Sequence, residues 1–105
     1  MKSMKKVELI IESVYINRLL KLFTKHDIHG YTIIKDIEGF GGHGFKTADD
    51  VSDIFTNIYI FTVCEAEQYQ CMDKDIRSFL SRYGGKCILS DVMLLLGAPR
   101  SVKLG

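Results

Sequence analysis

The sequence predicts an α+β fold whose elements follow the order βαββαβ. Two stretches with apolar residues at helical spacing predict two helices, and four stretches rich in β-branched and aromatic residues predict four strands. Each half of the chain repeats the order strand, helix, strand. The 105 residues, 47% hydrophobic and 26% charged, have the size and composition of one globular domain, which we expect to span residues 1–105.

The first strand and helix are predicted from a change in apolar period. Lys5 to Glu12 alternates in the way that is typical of a half-buried strand. Ser13 is the candidate N-cap of the helix that follows. The apolar residues at helical spacing in that helix are Ile16, Leu19, Leu20 and Phe23. We expect the helix to end near residues 26–30, with Gly30 supplying a left-handed or turn conformation.

The second strand and a long loop follow. Tyr31 to Ile37 is predicted to be a strand. Gly39 to Phe55 shows no apolar periodicity, which predicts a loop. A loop of this length in a small domain is usually functional or disordered, so we treat it as a candidate functional segment.

The second half of the chain repeats the pattern. Asn57 to Val63 is rich in β-formers and predicts a central strand. The next helix starts at Glu65 and ends at the Gly84-Gly85 pair, and its apolar residues at helical spacing are Tyr69, Met72, Ile76, Phe79 and Leu80. Cys87 to Leu96 is predicted to be the last strand.

These elements predict the ferredoxin-like arrangement, a four-stranded antiparallel sheet with two helices on one face. The strands nevertheless place apolar residues on both faces, as in the neighbours Leu9 and Ile10, Tyr59 and Ile60, and Leu94 and Leu95. A bare apolar sheet face of this size indicates a partner. We therefore predict self-association through the sheets, with a number of subunits that the patterning does not fix.

The glycine-rich run from Glu38 to Lys46 is the candidate site. Four glycines lie among its residues, and such a density indicates unusual backbone conformations or a close approach to another group. Backbone N–H groups freed in such a loop can point at an anion. Lys46 supplies a cation and His43 a titratable imidazole, so the run is suited to a phosphate or a carboxylate.

Composition argues against several other classes of function. The formal net charge of +1 does not indicate nucleic-acid binding. No apolar run approaches the roughly 18 residues that span a bilayer. The three cysteines, which lack CxxC spacing, indicate a reducing compartment and buried or incidental thiols. No nucleophile and base pair can be identified, so we expect a protein that is not an enzyme.

In order and spacing, three motifs resemble the PII signalling superfamily: Gly30-Tyr31-Thr32, Glu38-Gly39-Phe40-Gly41, and Gly84-Gly85-Lys86 before the last strand. The resemblance covers nearly the whole chain. It implies a homotrimer whose sheets face a central channel and which binds adenine nucleotides in clefts between subunits. It also implies a ligand-sensing T-loop at about residues 39–55 and a short B-loop at about residues 82–86.

The resemblance also implies a set of nucleotide-binding residues. They are Gly30, Tyr31, Thr32, Gly39, Gly41, Gly42, His43, Gly44, Lys46, Gly85 and Lys86. Gly30 and Thr32 match positions that flank the nucleotide, and Lys86 matches a lysine that contacts phosphate. The chain departs from the nitrogen-regulatory members at three positions. His43 stands in place of a glutamine, and Gly97 and Pro99 stand in place of two arginines.

The loop Gly41-Gly42-His43-Gly44-Phe45-Lys46 is similar to that of PII-like proteins linked to bicarbonate transport and carboxysomes. In that branch the effectors are AMP, ADP, ATP or cyclic AMP, and some members bind bicarbonate. By resemblance, Lys46 takes the place of an arginine beside the phosphate. The implied protein is a cytoplasmic regulator whose partner is a membrane transporter for bicarbonate or another small anion. Neither nucleic-acid binding nor membrane insertion is implied.

A metal-responsive trimer of the same fold, like the CutA family, is the alternative. It is motivated by His43 and the three cysteines, Cys64, Cys71 and Cys87. A plain assembly module without a ligand is a third possibility.

Overall fold

The computed structural model describes residues 1–37 and 56–95. Its elements are β1 (Lys2–Glu12), a 3₁₀ turn (Ser13–Tyr15), α1 (Ile16–Lys25), β2 (Thr32–Ile37), β3 (Asn57–Cys64), α2 (Ala66–Tyr83) and β4 (Lys86–Leu94). The predicted order βαββαβ is confirmed.

The four strands form one antiparallel sheet in the order β2-β3-β1-β4. The two halves of the chain therefore interleave, because β1 pairs with β3 and with β4 while β2 pairs with β3 alone. Leu9 lies opposite Ile60 on one side and Cys87 on the other, which fixes the register of the three strands. The edges of the sheet are β2 and β4, and each belongs to a different half of the sequence.

The core lies between one face of the sheet and the two helices. It is built from Val7, Leu9, Ile11, Leu19, Phe23, Ile28, Ile58, Ile60, Cys64, Tyr69, Met72, Ile76 and Phe79. Burying each large apolar side chain contributes about 1.5–3 kcal/mol, so alternate residues of β1 and β3 and one stripe of each helix carry most of the stabilisation. Thr62 is the one buried polar residue among those described.

The opposite face of the sheet carries no helix from the described residues, and we call it the open face. Strand alternation places Ile10, Tyr59 and Phe61 on it. Ile34 of β2 and Ile88 of β4 lie on the same face, with 50% and 49% of their surface exposed. The prediction of apolar residues on both faces is confirmed.

Two details of the first helix differ from the prediction. Ser13 does not cap α1, because its hydroxyl lies 2.9 Å from that of Thr56 and no side chain caps the helix. The left-handed residue after α1 is Asp27, with φ 62°, and not Gly30. Asp is among the few non-glycine residues that tolerate this conformation, so the turn does not need a glycine.

Strand boundaries also shift. β1 starts at Lys2, not Lys5, because its first residues pair with the end of β4. β2 starts at Thr32, one residue late, and β4 starts at Lys86, one residue early. In the described part of the chain β4 ends at Leu94, and Leu96 lies outside it. None of the helices in that part is long and apolar enough to cross a membrane.

Candidate functional site

Five of the predicted nucleotide-binding residues are described by the structure: Gly30, Tyr31, Thr32, Gly85 and Lys86. The six residues of the glycine-rich run, Gly39, Gly41, Gly42, His43, Gly44 and Lys46, lie outside the described residues, and so does the predicted T-loop. Their role stays a prediction.

A hydrogen bond from β3 anchors the segment from Gly30 to Thr32. The hydroxyl of Thr62 donates a hydrogen bond of 2.5 Å to the carbonyl of Gly30, which satisfies the buried threonine. The ring of Tyr31 lies 6.0 Å from that of Phe23, at the edge of the core. Tyr31 keeps 41% of its surface exposed, and Thr32 is exposed on the open face opposite Phe61. The segment therefore exposes the ring of Tyr31 and the hydroxyl of Thr32 at the β2 edge of the sheet.

The turn before Gly30 is tied to α2. The amide of Gln68 donates hydrogen bonds to the carbonyls of His26 and Asp27, at 3.1 and 3.0 Å. His26 Nε2 lies 2.8 Å from Asp75 Oδ2, and Lys25 Nζ lies 3.1 Å from the same oxygen. Hydrogen bonds from His26 and then Lys25 hold the pKa of the Asp75 carboxyl below its usual value. This network holds the turn between α1 and β2 against α2.

The second half of the site begins with two glycines that join α2 to β4. Gly84 has φ 82° and ψ −174°, a region that only glycine occupies readily. Gly85 has φ 101°, and a Cβ there would lie 2.5 Å from the carbonyl oxygen of Ile10. The pair, which lies within the predicted B-loop of residues 82–86, brings the chain tightly against β1 and starts β4 at Lys86.

The two described halves of the predicted site lie on opposite edges of the sheet. Thr32 pairs with Phe61 on edge strand β2, whereas Lys86 pairs with Ile10 on edge strand β4. Because β3 and β1 lie between them, β2 and β4 are three strand spacings apart, which is roughly 14 Å. Thr32 and Lys86 share the open face, but one chain does not bring them together.

The described residues nearest the predicted T-loop, at the end of β2 and at Thr56, form what we call its root. A bulge shifts the register of β2 between Ile34 and Ile37, and Asp36 within it has φ 58°. On the other side of the root, the backbone N–H of Ser13 donates to the carbonyl of Thr56 at 2.7 Å. A cavity of about 300 Å³ opens here, lined by Ser13, Ile16, Ile33, Lys35, Asp36, Thr56 and Ile58.

A polar group lies in the middle of the open face. Tyr59 donates a 2.7 Å hydrogen bond to Glu8, and that bond, with burial, raises the pKa of Tyr59 to about 12. Lys6 Nζ lies 3.9 Å from the same carboxylate and 4.7 Å from the ring centre of Phe61. The charges of Lys6 and Glu8 in the middle of this face thus lie next to each other within one chain.

The three cysteines do not form a metal site in the described part of the chain, which contains no cluster of three or more His, Cys, Asp or Glu side chains suited to a metal. Burial raises the pKa of the Cys64 thiol, and burial together with Asp73 raises that of Cys87 to about 11. In the absence of a metal, the raised pKa values keep both thiols protonated near neutral pH. Cys71 is exposed on α2.

Two anchoring residues, Thr62 and Gln68, were missed by the sequence analysis. Thr62 could have been found, since it is a polar residue at an inward position of a strand whose other inward residues are apolar. Gln68 carried no such signal, because its partners are main-chain carbonyls of a turn distant in sequence.

Comparisons with known proteins agree with this geometry. The family model for nitrogen regulatory protein P-II matches residues 4–95. No curated protein matches the chain.

Solved structures share the fold. CPII, a nitrogen regulatory PII-like protein from Thiomonas intermedia K12, bound to ADP, AMP and bicarbonate, is 22% identical with a TM-score of 0.75, over 94% of this chain and 98% of that one. The same protein bound to ADP and bicarbonate is 23% identical with a TM-score of 0.74, over 87% of each chain. A PII-like signalling protein from Thermus thermophilus is 22% identical with a TM-score of 0.65, over 86% of this chain and 87% of that one.

The family model covers almost the full length of the chain, and the solved structures share its fold. The resemblance noted in the sequence is confirmed at the level of the superfamily: the chain belongs to the nitrogen regulatory protein P-II family.

Proposed function

We propose that the protein is a trimeric PII-like regulator that binds an adenine nucleotide between subunits. The effector is AMP, ADP, ATP or cyclic AMP, with bicarbonate as a second candidate ligand. Binding orders the segment of residues 39–55, which then contacts or releases a partner. That partner is a membrane transporter for bicarbonate or another small anion, and the protein acts in the cytoplasm without catalysis of its own.

The observation that carries the proposal is the position of Thr32 and Lys86 on opposite sheet edges. If both contact one nucleotide, the two residues come from different chains. A ring of subunits, each giving its β2 edge to one neighbour and its β4 edge to the other, meets this condition with closed symmetry. The apolar open face supplies the surface through which such a ring packs.

The similar structures support the choice of ligand. CPII from Thiomonas intermedia K12 is described with ADP, AMP and bicarbonate bound. The fold shared with CPII, together with Gly30-Tyr31-Thr32 at one edge and Gly85-Lys86 at the other, makes the same classes of ligand the first candidates for this chain.

Complementation between two inactive variants tests the proposal. Thr32→Val and Lys86→Ala should each weaken nucleotide binding, measured by isothermal titration with AMP and ADP. When the two variants are unfolded together and refolded as mixed trimers, about a quarter of the sites should regain both residues, because the residues come from different chains. Restored tight binding at that stoichiometry supports the proposal.

Lys21→Ala is the matched control, since it removes an exposed lysine from α1 and should leave binding unchanged. No recovery in the mixture, with both variants still trimeric, would assign the two residues to separate functions. Wild-type affinity in both single variants would remove Thr32 and Lys86 from the site.

A further inference from the structure

A cluster of tyrosines and arginines lies where α2 ends and α1 begins. The ring of Tyr83 lies 4.7 Å from that of Tyr15 and 4.9 Å from that of Phe79. The guanidinium carbons of Arg18 and Arg82 lie 5.3 and 5.6 Å from the same Tyr83 ring centre. Two cations thus share one aromatic ring, within the distance of a cation–π contact.

Among residues 1–37 and 56–95, the two arginines have no acidic partner of the kind found for other cations there. None of the ion pairs between described residues includes Arg18 or Arg82, although Arg77 pairs with Asp73 on the same helix α2. Both arginines are exposed. The ring offsets part of the repulsion between them, but the local positive charge is left for an external anion.

Arg18 is also poorly placed for helix stability alone. It lies in the first turn of α1, which contains no acidic residue, and the helix dipole disfavours a cation there. Positions that break a local rule in this way are often functional.

The cluster is separate from the predicted phosphate contact of Lys86. Tyr83 packs against the core between the helices and the sheet, whereas Lys86 pairs with Ile10 and so lies on the open face. Arg82 and Tyr83 belong to the predicted B-loop of residues 82–86, but the ring of Tyr83 lies on the helix side of the sheet and Lys86 lies on the open face.

The surface around the cluster is partly apolar. Val14, next to Tyr15, keeps 61% of its surface exposed. A depression of about 500 Å³ lies along a neighbouring stripe of α1, lined by Asn17, Leu20, Lys21 and Thr24. A free phosphate would use only the charges, whereas a peptide that carries both carboxylates and apolar side chains would use the whole surface. Tyr and Arg are the residue types enriched at energetically dominant interface positions.

We propose that this surface, formed by Val14, Tyr15, Arg18, Arg82 and Tyr83, docks an acidic segment of a protein partner. It is a second contact in addition to the T-loop. The surface is joined to the T-loop root, because Ser13 beside it holds Thr56 through a backbone and a side-chain hydrogen bond. A partner bound here would lie next to the segment that senses the effector.

Fluorescence anisotropy with a labelled peptide in which Glu alternates with Leu and Tyr tests the proposal at about 0.15 M salt. The wild-type chain should bind it saturably and should not bind the counterpart peptide with Lys in place of Glu. Arg18→Gln and Arg82→Gln should each weaken binding about tenfold. Lys at either position should give an intermediate loss, since it keeps the charge but not the planar stacking.

Arg77→Gln is the matched control, because it removes an exposed arginine from α2 that is already paired with Asp73. Equal affinity of the Arg18, Arg82 and Arg77 variants would overturn the proposal. So would the absence of saturable binding to the wild-type chain up to about 1 mM peptide. Full displacement of the peptide by stoichiometric tripolyphosphate would overturn it too, since the arginine pair would then be a phosphate site.

Discussion

Gly85 sits where the backbone of β4 first meets β1, and the absence of a side chain there sets how closely the two strands approach. A Cβ at this position would lie 2.5 Å from the carbonyl oxygen of Ile10 and 2.9 Å from Cγ2 of Ile11. The neighbouring Gly84 has open space around it and needs glycine only for its backbone angles. The two glycines are thus required for different physical reasons.

Alanine substitutions should separate these reasons. Gly85→Ala combines the steric overlap with an unfavourable φ and should lower the free energy of unfolding by about 2–5 kcal/mol. Gly84→Ala, which meets only the backbone penalty, should lose about 1–3 kcal/mol. Gly30→Ala should change stability by less than about 1 kcal/mol. Urea unfolding followed by circular dichroism measures all three.

The ranking is the critical result. If Gly85→Ala and Gly84→Ala lose the same free energy, the close approach to Ile10 does not contribute. A large loss at Gly30 would contradict the open space around this residue and the absence of a positive φ there.

At the scale of elements, the contact between the end of α1 and α2 holds the turn that leads to β2. Hydrogen bonds from His26 and Lys25 lower the pKa of the Asp75 carboxyl. A carboxyl whose pKa is lower in the folded state stabilises the fold above its unfolded pKa, and this stabilisation is lost as the pH falls through the folded value.

Asp75→Asn should therefore lower the thermal midpoint at pH 7, and the difference from the wild-type chain should shrink as the pH falls below about 4. Differential scanning fluorimetry across pH 2–8 measures the effect. Asp27→Asn is the matched control, because it removes a carboxylate nearby that is 90% exposed and keeps a residue that tolerates a left-handed φ. A constant difference between the Asp75 variant and the wild type at every pH would contradict the linkage.

The elements show which parts of the fold were predictable. Strand alternation and helical spacing located every strand and helix, because both patterns reflect burial on one face. The end of α1 was predicted only approximately, since Asp27 and Gly30 could each take the left-handed position. The exact start of β1 depended on pairing with β4, and local patterning does not record such a long-range contact.

At the scale of the whole molecule, the open face is the surface that one chain leaves uncovered. Ile88 and Leu89 are neighbours on β4 with similar exposure, 49% and 43%, but they lie on opposite faces of the sheet. They allow a matched test of assembly through the open face.

Ile88→Glu should convert the proposed trimer to monomers, because it would place three uncompensated carboxylates in an apolar interface. Leu89→Glu, on the helix side, should leave the assembly intact. Light scattering coupled to size-exclusion chromatography measures both masses. Two trimeric variants, or a monomer only with Leu89→Glu, would rule out packing through the open face.

The candidate site was predictable in part. The order of the motifs indicated the family and its residues, and the sheet order then put Thr32 and Lys86 on opposite edges. The arginine and tyrosine cluster could not be predicted, because Arg18 and Tyr83 lie on different helices and meet only through packing. The glycine-rich run lies outside the described residues, so its part in the site stays a prediction.

A nucleotide site shared by two edge strands, as proposed above, would make protein abundance part of the signal. If a complete nucleotide site exists only where two chains meet, dilution removes sites and associated chains together. Nucleotide bound across the junction would then stabilise the assembly by mass action, by about 2.7 kcal/mol per site at 100 times the dissociation constant. A cell that makes little of the protein would sense the nucleotide less sensitively than one that makes much.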